Sequence, residues 1–276
     1  MLKKIFLIFY DFGMGLKRDN ISAYASSTAF FFFLSIAPML LVISAIITYT
    51  PVTEEMLTKM SESMLPEIVA PYAADFINQM YNLSHAVLPI AIIVALWSAG
   101  KGFMGLQMGL NVAHGVVETR NFFVIRLQAS FYTLITLLAV LMTFVLSLLT
   151  RNVASFIGYH FPALINLAEF FHSYRFILGW AILTVLFTLI YTFIPNMKLK
   201  LMYQIPGAMV SAVGWQIYSW GFSLYLQYVG GLSTYGSLSV IIVVMFWLYF
   251  SMFLLLIGAN LNKYFYPVIK VLFRRN

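Results

Sequence analysis

From residue 201 to residue 262 the chain carries no lysine, arginine, aspartate or glutamate. As one helix that run would be ~90 Å long, about three times the hydrocarbon thickness of a bilayer. It must therefore fold back on itself. The only turn signal inside it is "VGGLSTYG", where glycines, Ser233 and Thr234 stand together. The run thus predicts two apolar helices, about 204–226 and 235–261.

The rest of the chain extends this pattern. Apolar residues make up 62% and charged residues 9% of it, against roughly 25% charged in a soluble domain. Too little charge remains to cover a water-facing surface, so the sequence predicts an all-α, polytopic membrane protein. Four further spans of about 20 apolar residues fall at 21–49, 87–110, 127–150 and 176–193. The expected organisation is an interfacial segment 1–20, a compact six-helix domain 21–262 and a basic tail 263–276. There is no cysteine, which removes disulfides and thiol chemistry. "IFLIFY" is too short for a signal-peptide core and Asp11 follows it, so the first span is expected to act as an uncleaved insertion signal.

Charge sets the expected orientation. With both termini in the cytoplasm, the inner side holds all of the 16 basic residues except Lys59, Arg151 and Arg175. The outer side then holds Glu54, Glu55, Glu62, Glu67, Asp75 and Glu169, which is the positive-inside pattern of a multi-pass inner-membrane protein. The net charge of +7 is distributed as pairs flanking apolar segments, with no basic run that would suit nucleic acid. Residues 2–16 mix Phe6, Phe9 and Phe12 with Lys3, Lys4 and Asp11, as a helix lying on the inner leaflet does. In 52–83, Met56, Met60, Met64, Ile68, Tyr72 and Phe76 recur at helical spacing, with Pro66 and Pro71 as breaks. This predicts a helical outer cap, or a lid or docking surface for an extracytoplasmic envelope protein. The outer loop 151–175 has a similar character.

Little supports catalysis. His114 with Glu118, and His172 with Glu169, have helical spacing, but neither pair has a third ligand nearby, and each reads as a solvated surface pair. No metal or cofactor is expected. Small residues are more informative. Ser22, Ser26 and Ala29, then Gly105 and Gly109, then Gly207, Ser211 and Gly214 lie at spacings that let helices approach closely in lipid. Gln107, Gln216 and Asn260 are polar groups within spans, and an amide there needs a partner. Gln216 is therefore expected to face the bundle interior.

Lys101 stands among glycines in "ALWSAGKGFMGLQMGLN", ~21 Å from the outer end of its span. It either snorkels toward the cytoplasmic interface or faces a cavity opened by Gly100, Gly102 and Gly105 and binds an anionic group. In a homo-oligomer, a ring of such lysines would set ion selectivity.

"SAYASSTAFFFFLSIAPMLL" with Ser35 and Pro38, "WSAGKGFMGLQMGLN" ending in Leu110 and Asn111, and the closing stretch with Tyr235-Gly236-Ser237, Trp247-Leu248-Tyr249 and Gly258-Ala259-Asn260-Leu261-Asn262 together resemble the YihY/BrkB family of bacterial inner-membrane proteins. The likeness covers nearly the whole chain. Many members have glutamate where this chain has Asn260. The resemblance implies an envelope protein, linked in some members to envelope integrity, serum resistance or lipid and lipopolysaccharide handling. The family has also been labelled a tRNA-processing ribonuclease, which the absence of a metal-binding cluster in this sequence argues against. The leading expectation is a protein that assists movement of an anionic phospholipid or lipopolysaccharide-type glycolipid along a path of Lys101, Gln107, Gln216 and Asn260. The alternative is a non-transporting scaffold that docks a partner through its outer loops.

Overall fold

The computed structural model describes residues 2–47, 53–64, 70–81, 88–133, 175–228 and 237–267. Among these residues every regular element is a helix. Most of the expected span 127–150, the loop 151–174, Tyr235 and Gly236, and the tail beyond residue 267 lie outside the described residues.

Helix α1 (Leu2–Arg18) is the expected amphipathic segment. It ends in Lys17 and Arg18, where cations oppose the negative helix end, and Asn20 at φ 49° makes the elbow into α2 (Ile21–Ile47). A left-handed backbone there suits asparagine. Two short helices follow, α3 (Glu54–Met64) and α4 (Ala70–Tyr81), packed on each other. Thr53 caps α3 through its hydroxyl, 3.3 Å from the Met56 amide. Pro71 falls in the first turn of α4, where its missing N–H costs nothing, and so does not break the helix as the sequence suggested.

Next come α5 (Leu88–His114), α6 (described over 122–133), α7 (Arg175–Phe193), α8 (Leu201–Tyr228) and α9 (Ser237–Tyr264). Helices α5, α8 and α9 thus run a few residues past the ends expected at 110, 226 and 261. At the end of α5 the stop is physical. Gly115 adopts φ +70°, and the Val116 amide turns back onto the Asn111 carbonyl at 2.8 Å.

Helix α9 is the hub, packed against α1, α2, α5 and α8. Its Leu255, Leu256 and Ala259 meet Ile21 and Ala25 of α2, Leu106 and Leu110 of α5, Phe187 and Tyr191 of α7, and Ala208 and Ala212 of α8. The closest crossing is α8 on α9. A Cβ on Gly207 would strike the Gly258 carbonyl, and a Cβ on Gly258 would strike Ser211 Oγ. Only glycine permits this approach. Polar groups seal it: the Tyr191 hydroxyl donates to the Leu255 carbonyl at 2.6 Å, and Ser211 Oγ donates to the Leu254 carbonyl at 2.8 Å.

Inside and outside are inverted relative to a soluble domain. Phe30, Ile93, Leu127, Ile182, Ile217 and Ile242 are exposed, while Gln107, Asn111, Gln204 and Asn262 are all but inaccessible. A protein whose solvent is hydrocarbon has this arrangement. By length and composition, Ile21–Met39 and Leu238–Tyr264 are apolar enough to cross a membrane, and Gly179–Phe193 is a shorter apolar stretch.

Candidate functional site

The four residues expected to line one path lie in four different settings. Gln107 is buried and donates to Glu118 Oε2 at 3.0 Å. Asn260 is buried, with its Nδ2 donating back to the Leu256 carbonyl of its own helix at 3.0 Å. Gln216 is half-exposed at the α7–α8 seam, donating to the Phe176 carbonyl at 3.1 Å, and not in the centre of the bundle. Lys101 is exposed. The structure joins none of these four to another by a hydrogen bond.

The glycines around Lys101 do not open a cavity for it. Each receives a side chain from elsewhere: the Arg126 guanidinium at Gly100, the Phe32 ring at Gly102 and Thr28 Oγ1 at Gly105. Gly109 likewise lies against Tyr24 and Leu256. Lys101 instead projects over two rings, with Nζ 5.1 Å from the Phe31 centroid and 6.0 Å from that of Trp97. The Arg126 guanidinium lies 4.2 Å from the Trp97 centroid and donates to the Trp97 carbonyl at 2.9 Å. Two cations therefore flank one exposed tryptophan on the side of the bundle, in cation–π geometry. Below them α2 turns small, polar residues outward: Ser22, Ala23, Ser26 and Ser27 are all exposed. Ala23 and Ser27 lie two turns and one turn below Phe31 on the same stripe. The most deeply buried face of α2 is built of Ile21, Ala25, Thr28 and Ala29, and Ser22 and Ser26 lie at its edge. Ser22 shares a 2.9 Å hydrogen bond with the Tyr249 hydroxyl, and Ser26 bonds back to the Ser22 carbonyl.

Toward the charged end of the bundle lies a partly buried polar cluster that the sequence did not reveal. Glu118 does not pair with His114, because Gly115 ends the helix between them. The chain instead runs back along α5, and Glu118 Oε2 accepts from Gln107 Nε2 (3.0 Å), Asn111 Nδ2 (2.7 Å) and Arg120 Nη2 (2.8 Å). Its Oε1 accepts from the Arg120 amide and Nε at 3.0 and 2.9 Å. The Arg120 side chain, closely followed by burial acting the other way, dominates its titration. The net result holds the carboxyl at about 2. Asn111 Oδ1 accepts the Asn196 amide at 2.8 Å, and Arg120 Nη1 reaches Gln128 at 2.9 Å. The cluster thus ties the 115–121 loop, α6 and the loop after α7 to α5. One signal in the sequence pointed here: Glu118 is the lone acid between Asp75 and Glu169.

Beside this cluster, Asn262 closes the α8–α9 crossing. Its Oδ1 accepts the Gly207 amide at 2.7 Å, and its Nδ2 donates to the Gln204 carbonyl and side chain, both at 3.0 Å. Pro206 lies in the same turn, where its missing N–H weakens the helix's own bonding. Pro38 sits inside α2, and near it Ser35 is buried and bonds back to the Phe32 carbonyl at 2.7 Å. A Cβ on Gly214 would lie 3.3 Å from Leu254 of α9. No group of three His, Cys, Asp or Glu among the described residues is arranged to hold a metal ion.

An all-helical bundle with an apolar exterior, glycine crossings and amide-clasped helix ends defines a class, the helical membrane proteins. Within it, residues 14–268 match the family described as virulence factor BrkB, and the chain belongs to that family. It is 30% identical over 244 residues to the "putative ribonuclease-like protein YfkH" of Bacillus subtilis, covering 86% of this chain and 87% of that one. It is 25% identical to a UPF0761 membrane protein of Mannheimia succiniciproducens, covering 95% of this chain and 89% of the relative. A UPF0761 membrane protein of Aeromonas salmonicida is also 25% identical, with 91% and 88% covered. No solved structure matches.

Proposed function

We propose that this protein is a multi-pass inner-membrane protein with cytoplasmic termini, and that it assists the transfer of an anionic phospholipid or glycolipid along the flank formed by α2, α5 and α6. One observation carries the reading. Lys101 and Arg126 flank Trp97 on the outside of the bundle, at the head of the stripe of exposed small residues on α2. Below that level α2 exposes Ala23 and Ser27, while α5 exposes Met108 and α6 exposes Phe122, Phe123 and Val124. A headgroup following the α2 stripe past Ser27 would meet two cations at its top. A desolvated cation–π pair contributes up to about 2 kcal/mol, and a charge-assisted hydrogen bond to a phosphate about 1.5–3 kcal/mol.

The ribonuclease-like wording of the Bacillus relative is not extended to this chain. The acid nearest a catalytic setting, Glu118, has both oxygens engaged by neighbours. The test is a vesicle assay with fluorescent phosphatidylglycerol, in which wild-type protein accelerates exchange between leaflets and Lys101→Gln with Arg126→Gln slows it. Exchange no faster than in protein-free vesicles, across anionic lipid classes, sinks the reading.

The scaffold alternative is favoured by one feature. Helices α3 and α4 pack together and leave Met56 and Tyr72 exposed beside Glu55 and Glu62, as a partner-facing surface would. Substitutions there would then abolish the cellular phenotype while lipid exchange persists.

A further inference from the structure

A second basic feature lies apart from the flank. A cavity of about 420 Å³ opens between the end of α5, the 194–200 loop, the start of α8 and the end of α9, within the range of about 300–1,000 Å³ usual for small-ligand sites. Its lining includes Lys198, Lys200, Lys263, His114, Gln204 and Asn262, and no acid.

The charges there are poorly compensated. Lys198 and Lys200 form no ion pair among the described residues, and Lys263 has Asp19 at 3.4 Å, a carboxylate that also faces Arg18. Lys263 Nζ stands over Gly115, at the negative end of α5. Lys200 lies against the Tyr203 ring at 5.9 Å. Helix α8 begins at the rim, at Leu201, and presents the positive end of its dipole there.

One polar atom of the lining is left without a partner. His114 Nε2 is buried and has no hydrogen-bond partner among the described residues. A buried nitrogen with no partner is destabilising unless a ligand or water fills the place.

We propose that this cavity binds a phosphomonoester dianion, carried either on a lipid headgroup or on a soluble molecule. Three ammonium groups around one space repel each other until an anion enters, and a tetrahedral dianion can accept hydrogen bonds from all of them at once. A monoanionic carboxylate would leave the lysines in excess. Burial, and next the charge of Lys263, hold the His114 imidazole at about 4, so at neutral pH it is uncharged and serves as a hydrogen-bonding group inside a cationic shell. The inference goes beyond lipid transfer on the flank and uses none of the flank's residues.

The experiment uses the full chain in phosphatidylcholine nanodiscs, following the imidazole NMR signals of His114, which are assigned by their loss in His114→Gln. Inorganic phosphate and glycerol phosphate are titrated in, and a parallel sample contains phosphatidic acid. The expected result is a saturable change at His114 with one of the two sources, weakened about tenfold or more in the Lys198→Gln, Lys200→Gln double variant, as loss of charge-assisted bonds requires. A response to soluble phosphate identifies a soluble ligand, and a response to phosphatidic acid alone identifies a headgroup. Both lysines are exposed, so the double variant is expected to fold. The response must survive Lys101→Gln. A silent His114 with every phosphate source, an equal response in the double variant, or a response lost with Lys101→Gln overturns the proposal. Slow lipid exchange beside an intact His114 response would sink the flank reading alone.

Discussion

Two pairs of helices in this bundle are built on glycine and use it differently. At the α8–α9 crossing, Gly207 and Gly258 face each other backbone to backbone, and Tyr191, Ser211 and Asn262 close the seam with hydrogen bonds. Along α5, Gly100, Gly102 and Gly105 each admit a side chain from a neighbour, and only at Gly105 does the α2 main chain, at Thr28, also come close. The first arrangement fixes a distance between main chains. The second fixes which side chains interleave, and so decides that Lys101 and Arg126 emerge on the flank. The same residue type, at similar spacing, therefore marks a rigid joint in one place and a socket in the other.

Four substitutions would break or sharpen this contrast. The largest effect is expected from Gly207→Ala, because its methyl group meets the Gly258 carbonyl and the Asn262 amide, neither of which can turn away. A loss of about 4 kcal/mol or more is expected, measured as unfolding in detergent. Gly102→Ala meets only the Phe32 ring, which can swing, so about 1–3 kcal/mol is expected. A Gly102 variant as damaging as the Gly207 one would erase the distinction between joint and socket.

Glu118→Gln probes the cluster that holds α6 beside α5, and about 2 kcal/mol is expected from weakened charge-assisted bonds. Acid supplies the same test without mutation. The folded-state pKa of Glu118 is depressed from the usual 4.5 to about 2. Its contribution is therefore complete above about pH 4.5 and lost as pH falls toward 2. Wild-type protein should lose its advantage over the glutamine variant across that window, and a difference independent of pH would remove Glu118 from the account. Lys101→Gln is expected to unfold within about 0.5 kcal/mol of wild type, as an exposed position does, while slowing lipid exchange. Large destabilisation would make Lys101 a structural residue.

Legibility in the sequence followed the same division. Patterns set by lipid were plain. The charge-free run required a hairpin, the paired basic residues bounded the spans, and Gly207 with Ser211 stood out as close-packing positions. What escaped depended on where the chain turns. Reading His114 and Glu118 as one helical pair required the helix to continue through Gly115, and the positive φ there sends Glu118 to Gln107 and Asn111. Lys101 was read with its own glycines, although Arg126, Phe32 and Thr28 fill them. Those partners come from α2 and α6, and no spacing within α5 could have named them. Gln216 shows a smaller shift: its need for a partner was legible, but a carbonyl of α7 at the seam satisfies it, and the interior does not.

Pro206 also bears on how the bundle can move. A proline within a membrane helix commonly marks a place where the rod can bend, since one rung of its ladder is absent. Here Asn262 reaches across from α9, accepts the Gly207 amide and holds Gln204 on the other side of the proline. The loose rung is bridged by a neighbour's side chain, and bending α8 there would break bonds to α9. The bonds make the two helices a single splinted post, and under the proposed lipid transfer an opening is expected from the helices around it.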